Sequence, residues 1–282
     1  MSSLFRSLLF LCLVLQGWTT AHAQDNRPGI PVLVYHEITT DDARQPGDTV
    51  ISLRRFREEM EYLAQHDYHP IGLQELVAYM RSGAPVPTRP IVLTFDDGWR
   101  NVLNAVPILN TLGFKASFLI ITGKGNGGDY LDWSDIRALA NNPHFEVESH
   151  TVTHPWDLRE NLVTWIDGKV PGKGAAEVLY ELRESKITLE RELGRKISYL
   201  AWPCGWYNDA MVKMAKEEGY EALLTIESGF NTVGGNLAEI RRIQVDGACD
   251  MATFEQMLRD DRTAICGPGR RGTSPHSPYP AT

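Results

Sequence analysis

Residues 91–99 read Ile-Val-Leu-Thr-Phe-Asp-Asp-Gly-Trp, with Pro90 in front of them. A short apolar run rich in β-branched residues reads as a buried strand. The run ends in two adjacent carboxylates. Successive side chains on a strand point to opposite sides, so Asp96 and Asp97 serve two different directions. One can face a metal while the other faces a water or a substrate. Gly98 permits the sharp turn that follows. Taken alone, the same residues also describe a solvated Asp-Asp-Gly turn closing a strand.

A second stretch selects between these readings. His150-Thr151-Val152-Thr153-His154 follows another strand-like run, residues 145–149. Histidines at i and i+4 can share one face of a helical turn. Pro155 restrains His154 towards an extended conformation, so the pair belongs on the turn after a strand. Two imidazoles and one carboxylate are a common catalytic metal set that leaves a position for water.

The rest of the chain supplies a scaffold for one shared site. Apolar strand candidates alternate with helical patterns, which means parallel β/α units. About seven such units close most simply into a barrel, a single α/β domain. Parallel barrels collect their chemistry at the C-terminal ends of the strands. His36, Asp97, His150 and Cys204 all lie just past apolar runs. The pattern predicts helices at about 53–63, 73–81, 133–141, 175–193, 208–218 and 252–260. It also predicts one helix over 101–112, kinked at Pro107, and a long irregular connection over 156–173 suited to substrate contact or a lid. Arg242 can orient a carboxylate or bind substrate, although an exposed strand-end arginine is the preferred reading. Trp99, Trp156, Trp202 and Trp206 flank the motifs, where aromatic faces can stack on sugar rings or pack in the core.

Composition removes some function classes. The 282 residues are 43% hydrophobic with a formal net charge of −8, and no basic stripe for nucleic acid is present. Residues 1–23 read as a signal peptide, with an apolar core too short to span a bilayer and an Ala21-His22-Ala23 cleavage pattern. The expected mature chain is exported, to the periplasm or the exterior, without a transmembrane anchor. It would comprise a domain over 24–262 and a disordered tail over 263–282. Cleavage leaves Cys204, Cys249 and Cys266, enough for one disulfide; Cys249 with Cys266 is the conceivable pair.

Thr-Phe-Asp-Asp-Gly followed by His-Thr-x-Thr-His resembles the polysaccharide deacetylases, carbohydrate esterases with a NodB-type domain. The resemblance covers about residues 31–260. It implies an irregular (β/α)7 barrel and a metal-dependent hydrolase that removes N-acetyl groups from a GlcNAc-containing polysaccharide. It assigns Asp96 as general base and Asp97, with His150 and His154, as ligands; strand-end geometry alone does not choose between the two aspartates. Zinc is the expected metal, and the donor set also accepts cobalt or nickel. Val34-Tyr35-His36-Glu37 resembles the branch acting on poly-N-acetylglucosamine.

The sequence departs from the family in two places. The family's Arg-x-Pro-aromatic-Gly loop corresponds to Ala201-Trp202-Pro203-Cys204-Gly205, followed by Trp206. The arginine that orients the base is absent there, while a backbone N–H at Cys204 remains available as an oxyanion donor. Pro203, Cys204, Gly205 and Trp206 are thus the oxyanion and substrate-binding candidates. A Leu-x-x-His element near the last strand is also absent; His36 is the candidate substitute for the general acid, with a structural role as the alternative. These gaps motivate a rival reading, an inactive carbohydrate-binding barrel. An O-acetyl esterase acting on xylan or another glycan is the second rival.

Overall fold

A computed structural model describes residues 29–259, apart from 42, 43 and 48. The expected signal peptide, the expected tail and Cys266 lie outside the described residues. The long strands are β1 (Ile30–Tyr35), β2 (Pro90–Phe95), β3 (Ala116–Ile120) and β4 (Phe145–Ser149). Shorter ones follow: β5 (Tyr199–Ala201), β6 (Ala222–Leu224) and β7 (Ile243–Gln244). β1 to β6 pair in parallel and in chain order. The last segment closes the ring. Ile240 bridges Leu224 in parallel, and three residues on, Ile243 pairs with Leu33 of β1. The expected seven-stranded barrel is present in irregular form: β7 pairs only with β1, and the link to β6 is the single Leu224–Ile240 bridge. A two-residue strand, Phe230–Asn231, adds an antiparallel edge to β1.

Strand alternation explains how this barrel is filled. Leu33, Tyr35, Leu93, Phe95, Phe118, Phe145 and Val147 pack outward against the helices. The helices are α1 (Leu53–Gln65), α2 (Leu73–Ser82), α3 (Val106–Leu112), α4 (Trp133–Ala140), α5 (Leu162–Ile166), α6 (Ala175–Leu193), α7 (Asp209–Glu217) and α8 (Met251–Met257). Ile30, Val32, Val92, Leu119, Tyr199 and Leu224 form a separate core with Leu73, Leu76 and Met80 of α2. That second set faces inward, and α2 plugs the end of the barrel away from the site. Glu146 of β4 accepts the N–H groups of Leu73 and Gln74, satisfying the start of α2. Val92, Thr94 and Asp96 share one side of their strand, so Asp96 points inward.

Local signals account for the helix starts. Ser52 caps α1, accepting from Arg55 N–H at 3.1 Å, and Asn208 caps α7 through Met211 N–H. Two expectations change. Residues 101–112 are not one kinked helix: a 3-10 turn, Arg100–Asn104, precedes α3. Pro107 sits in the first turn of α3, where its missing N–H costs nothing. The connection over 156–173 is not wholly irregular, because Asn161 caps the short α5 within it. Among the described residues no helix is long and apolar enough to cross a membrane.

Candidate active site

The ends of β1, β2, β4 and β5 meet at one place. Asp97 Oδ1 lies 3.4 Å from His150 Nε2 and 3.7 Å from His154 Nε2. One donor atom from each of these three residues falls within 4.8 Å of the others. Asp97 and His150 are each oriented by a second contact. Trp99 Nε1 donates to Asp97 Oδ2 at 2.9 Å. Oδ1 is left buried and without a hydrogen bond of good geometry, aimed at the two imidazoles. His150 Nδ1 donates to the carbonyl of Ala201 at 2.9 Å; a carbonyl can only accept, so Nε2 keeps its lone pair for the centre. A carboxylate oxygen and two imidazole nitrogens converging in a buried site fit a divalent transition metal.

The backbone here is strained. Asp97, Thr151, His154 and Cys204 adopt φ of 72°, 66°, 52° and 52°. Non-glycine residues held there cost about 1–3 kcal/mol each. Thr151 Oγ1 accepts the His154 N–H at 3.2 Å and closes the histidine loop on itself.

Asp96 takes the other direction, as alternation requires. It is 3% exposed and lies 3.7 Å from His150. Arg242 grips it with both terminal nitrogens, each at 2.8 Å. The expectation of an exposed Arg242 is thus wrong: its side chain is fully buried. Its Nε donates to Thr225 O and one terminal nitrogen also reaches Thr94 Oγ1. The reason is electrostatic. A carboxylate buried inside the barrel needs a cation, and the loop position that carries arginine in the family holds Ala201. The alternative reading, Arg242 orienting a carboxylate, is the one the contacts bear out.

Burial acts to raise the Asp96 pKa, but Arg242, His150 and His36 outweigh it and hold the group below the usual carboxylate range. Asp97 is likewise pulled down, against burial, by its three histidine neighbours. The two carboxylates in turn outweigh burial at His150 and raise it. Burial and the neighbouring His150 push His154 down to about 4, leaving that imidazole neutral and able to act as a ligand at neutral pH.

His36 follows β1, next to β2, where Asp96 N–H donates to Tyr35 O at 2.9 Å. Its Nδ1 is buried without a hydrogen-bond partner among the described residues. Pro203, Cys204 and Gly205 form a 3-10 turn one residue beyond Ala201, whose carbonyl binds His150. Gly205 has φ of 69°, and a Cβ there would lie 2.4 Å from the Ile226 side chain, so this turn admits only glycine. Trp206 follows, half-buried. Trp202 is fully buried and stacks on Tyr207, which makes it core rather than groove. Trp156 is 70% exposed beside the histidine loop. A cavity of about 610 Å³ opens next to Trp99, lined by Glu37, Arg44, Arg100, Asn101 and Asp129 among others.

The sequence and the fold resemble those of known proteins. The chain is 23% identical over 239 residues to YxkH of Bacillus subtilis, covering 84% of this chain and 78% of YxkH. It is 22% identical over 260 residues to the poly-beta-1,6-N-acetyl-D-glucosamine N-deacetylase of Escherichia coli K12. That match takes in 82% of this chain but only 38% of the longer E. coli protein. The fold superposes on the deacetylase PplD of Streptococcus pyogenes, solved with acetate, with a TM-score of 0.71 at 22% identity, covering 82% of this chain and 98% of PplD. The polysaccharide deacetylase family model matches residues 83–223, half of the chain. The chain belongs to the polysaccharide deacetylase family.

Proposed function

We propose that this protein is a metal-dependent hydrolase that removes N-acetyl groups from a GlcNAc-containing polysaccharide, of the poly-β-1,6-linked kind. The observation that carries the reading is the juxtaposition of the Asp97, His150 and His154 cluster with a separate, arginine-held carboxylate, Asp96. The name of the E. coli relative supports the substrate.

Asp97, His150 and His154 would hold one divalent ion, which we take to be zinc, with cobalt or nickel as substitutes. When bound, such an ion lowers the pKa of a coordinated water and polarises the acetyl carbonyl. The chain's own groups do the rest. Asp96, kept ionised by Arg242, accepts the proton of the attacking water. The backbone N–H of Cys204 faces the developing oxyanion, on a turn whose shape Pro203 and Gly205 fix. His36, whose Nδ1 has no hydrogen-bond partner among the described residues, gives a proton to the departing amine. Trp206 and the cavity beside Trp99 would seat neighbouring sugars. We also propose that residues 1–23 direct export to the periplasm or the exterior, and that 24–262 form the mature domain.

The inactive-barrel reading loses one of its two supports, because Arg242 supplies a guanidinium in place of the one missing at position 201. The test is acetate release from a panel of acetylated glycans, with and without chelator. Chelator-sensitive release from poly-N-acetylglucosamine is expected. Release from acetylated xylan alone would make the protein an O-acetyl esterase, and release from neither would favour a binding barrel.

A further inference from the structure

Glu181 stands in the middle of α6 and is 2% exposed. Its place on the helix is set by periodicity: Val178, Glu181, Leu182, Ser185 and Leu189 form the buried stripe. A carboxylate on such a stripe needs donors. It finds three, all on the loop between the two ligating histidines. Val152 N–H and Thr153 N–H both donate to Oε2 at 2.8 Å, and Thr153 Oγ1 donates to Oε1 at 2.7 Å.

The opposite side of this loop is held as well. Thr122 N–H donates to Thr151 O at 3.1 Å and Gly123 N–H to Val152 O at 2.9 Å. A Cβ on Gly123 would sit 2.5 Å from that same Val152 oxygen. The loop is therefore clamped: its donors point at α6, its acceptors at the residues after β3. The clamp spans Thr151 to Thr153, and the two left-handed residues, Thr151 and His154, lie at its edge. Those conformations aim both imidazoles at one point. Without the carboxylate, the part-buried N–H groups of Val152 and Thr153 would lose their acceptor and the loop would relax away from its strained form.

We propose that Glu181 is a positioning residue that sets the geometry and affinity of the metal centre without touching it. The inference rests on the metal reading of Asp97, His150 and His154. Three variants test it: Glu181→Ala removes the acceptor, Glu181→Gln keeps an oxygen for the two backbone donors, and Thr153→Val removes one contact of the three. The readouts are zinc affinity by chelator competition, the visible absorption of the cobalt-loaded protein, and the melting temperature without metal. Glu181→Ala should bind zinc about 10- to 100-fold more weakly, the range for lost outer contacts to metal ligands, with an altered cobalt spectrum. Glu181→Gln should recover most of the affinity, and Thr153→Val should fall between.

A merely structural glutamate would lower the metal-free melting temperature and leave affinity and spectrum unchanged in folded protein; that result overturns the proposal. If Glu181→Ala does not fold, Thr153→Val decides by the same criterion. Absence of metal binding by the wild-type chain would instead defeat the metal reading itself, and the proposal with it.

Discussion

Arg242 holds Asp96 through two hydrogen bonds of 2.8 Å, across 146 positions of sequence. The contact joins the closing segment of the barrel to the end of β2, so the same pair completes the fold and prepares the proposed base. Arg242→Lys keeps a charge and loses the planar fork. Asp96 would then be less well offset against burial, and its pKa would rise. The acid limb of kcat/KM against pH should move to higher pH in this variant, with metal content unchanged. An unmoved acid limb would separate Arg242 from the base.

Asp96→Asn removes the proton acceptor and leaves the three ligands in place. Turnover should drop roughly 100- to 10,000-fold, the usual contribution of a general base. Metal content by elemental analysis should stay at the wild-type level. A variant that loses its metal would mean that Asp96 is itself a ligand.

His36→Ala probes the acid. An amide nitrogen must be protonated before it leaves, whereas an activated aryl acetate has a good leaving group. The variant should lose much more N-deacetylation than aryl acetate hydrolysis, measured on one metal-loaded preparation. Equal losses on both substrates would point to a positioning role for His36.

The readable part of the site was the part coded locally. Asp96-Asp97 and His150 to His154 announce themselves because each pair sits at the end of an apolar run, and alternation already sends the two aspartates in different directions. Helix limits were legible for the same reason, as with α6 ending at Gly194 in a left-handed cap. Arg242 is undecided between an exposed residue and a carboxylate partner in the sequence because Asp96 is remote: nothing near residue 242 records that the opposite wall of the barrel carries a buried carboxylate. Glu181 is not legible as a site residue although the spacing of its stripe is visible, since a lone glutamate among apolar positions does not name its donors. Trp202 was legible only as an aromatic near a motif, and packing put it in the core.

Glu59 offers a test of the core behind the site. It is 1% exposed and accepts the Tyr35 hydroxyl at 3.0 Å, one residue from His36. Burial pushes its pKa from the ordinary 4.5 up to about 8. A carboxyl with a raised folded-state pKa stabilises fully below its unfolded value and loses that contribution as pH rises through the folded one. Wild-type stability should therefore fall between about pH 4.5 and 8, by on the order of a few kcal/mol from this group. Glu59→Gln has no proton to lose and should flatten the decline of melting temperature over that range. Parallel curves for the two proteins would place the charged form of Glu59 in the folded core.

The central claim is that Asp97, His150 and His154 hold an ion on which acetate release depends. The direct measurement strips the protein of metal and titrates zinc back while following acetate release from poly-N-acetylglucosamine, for wild type and His150→Ala. The wild-type rate should start near zero and rise linearly to a break at one zinc per chain, and His150→Ala should show no rise at the same concentrations. Undiminished acetate release from metal-free wild-type protein, or the same titration curve in His150→Ala, would contradict the account.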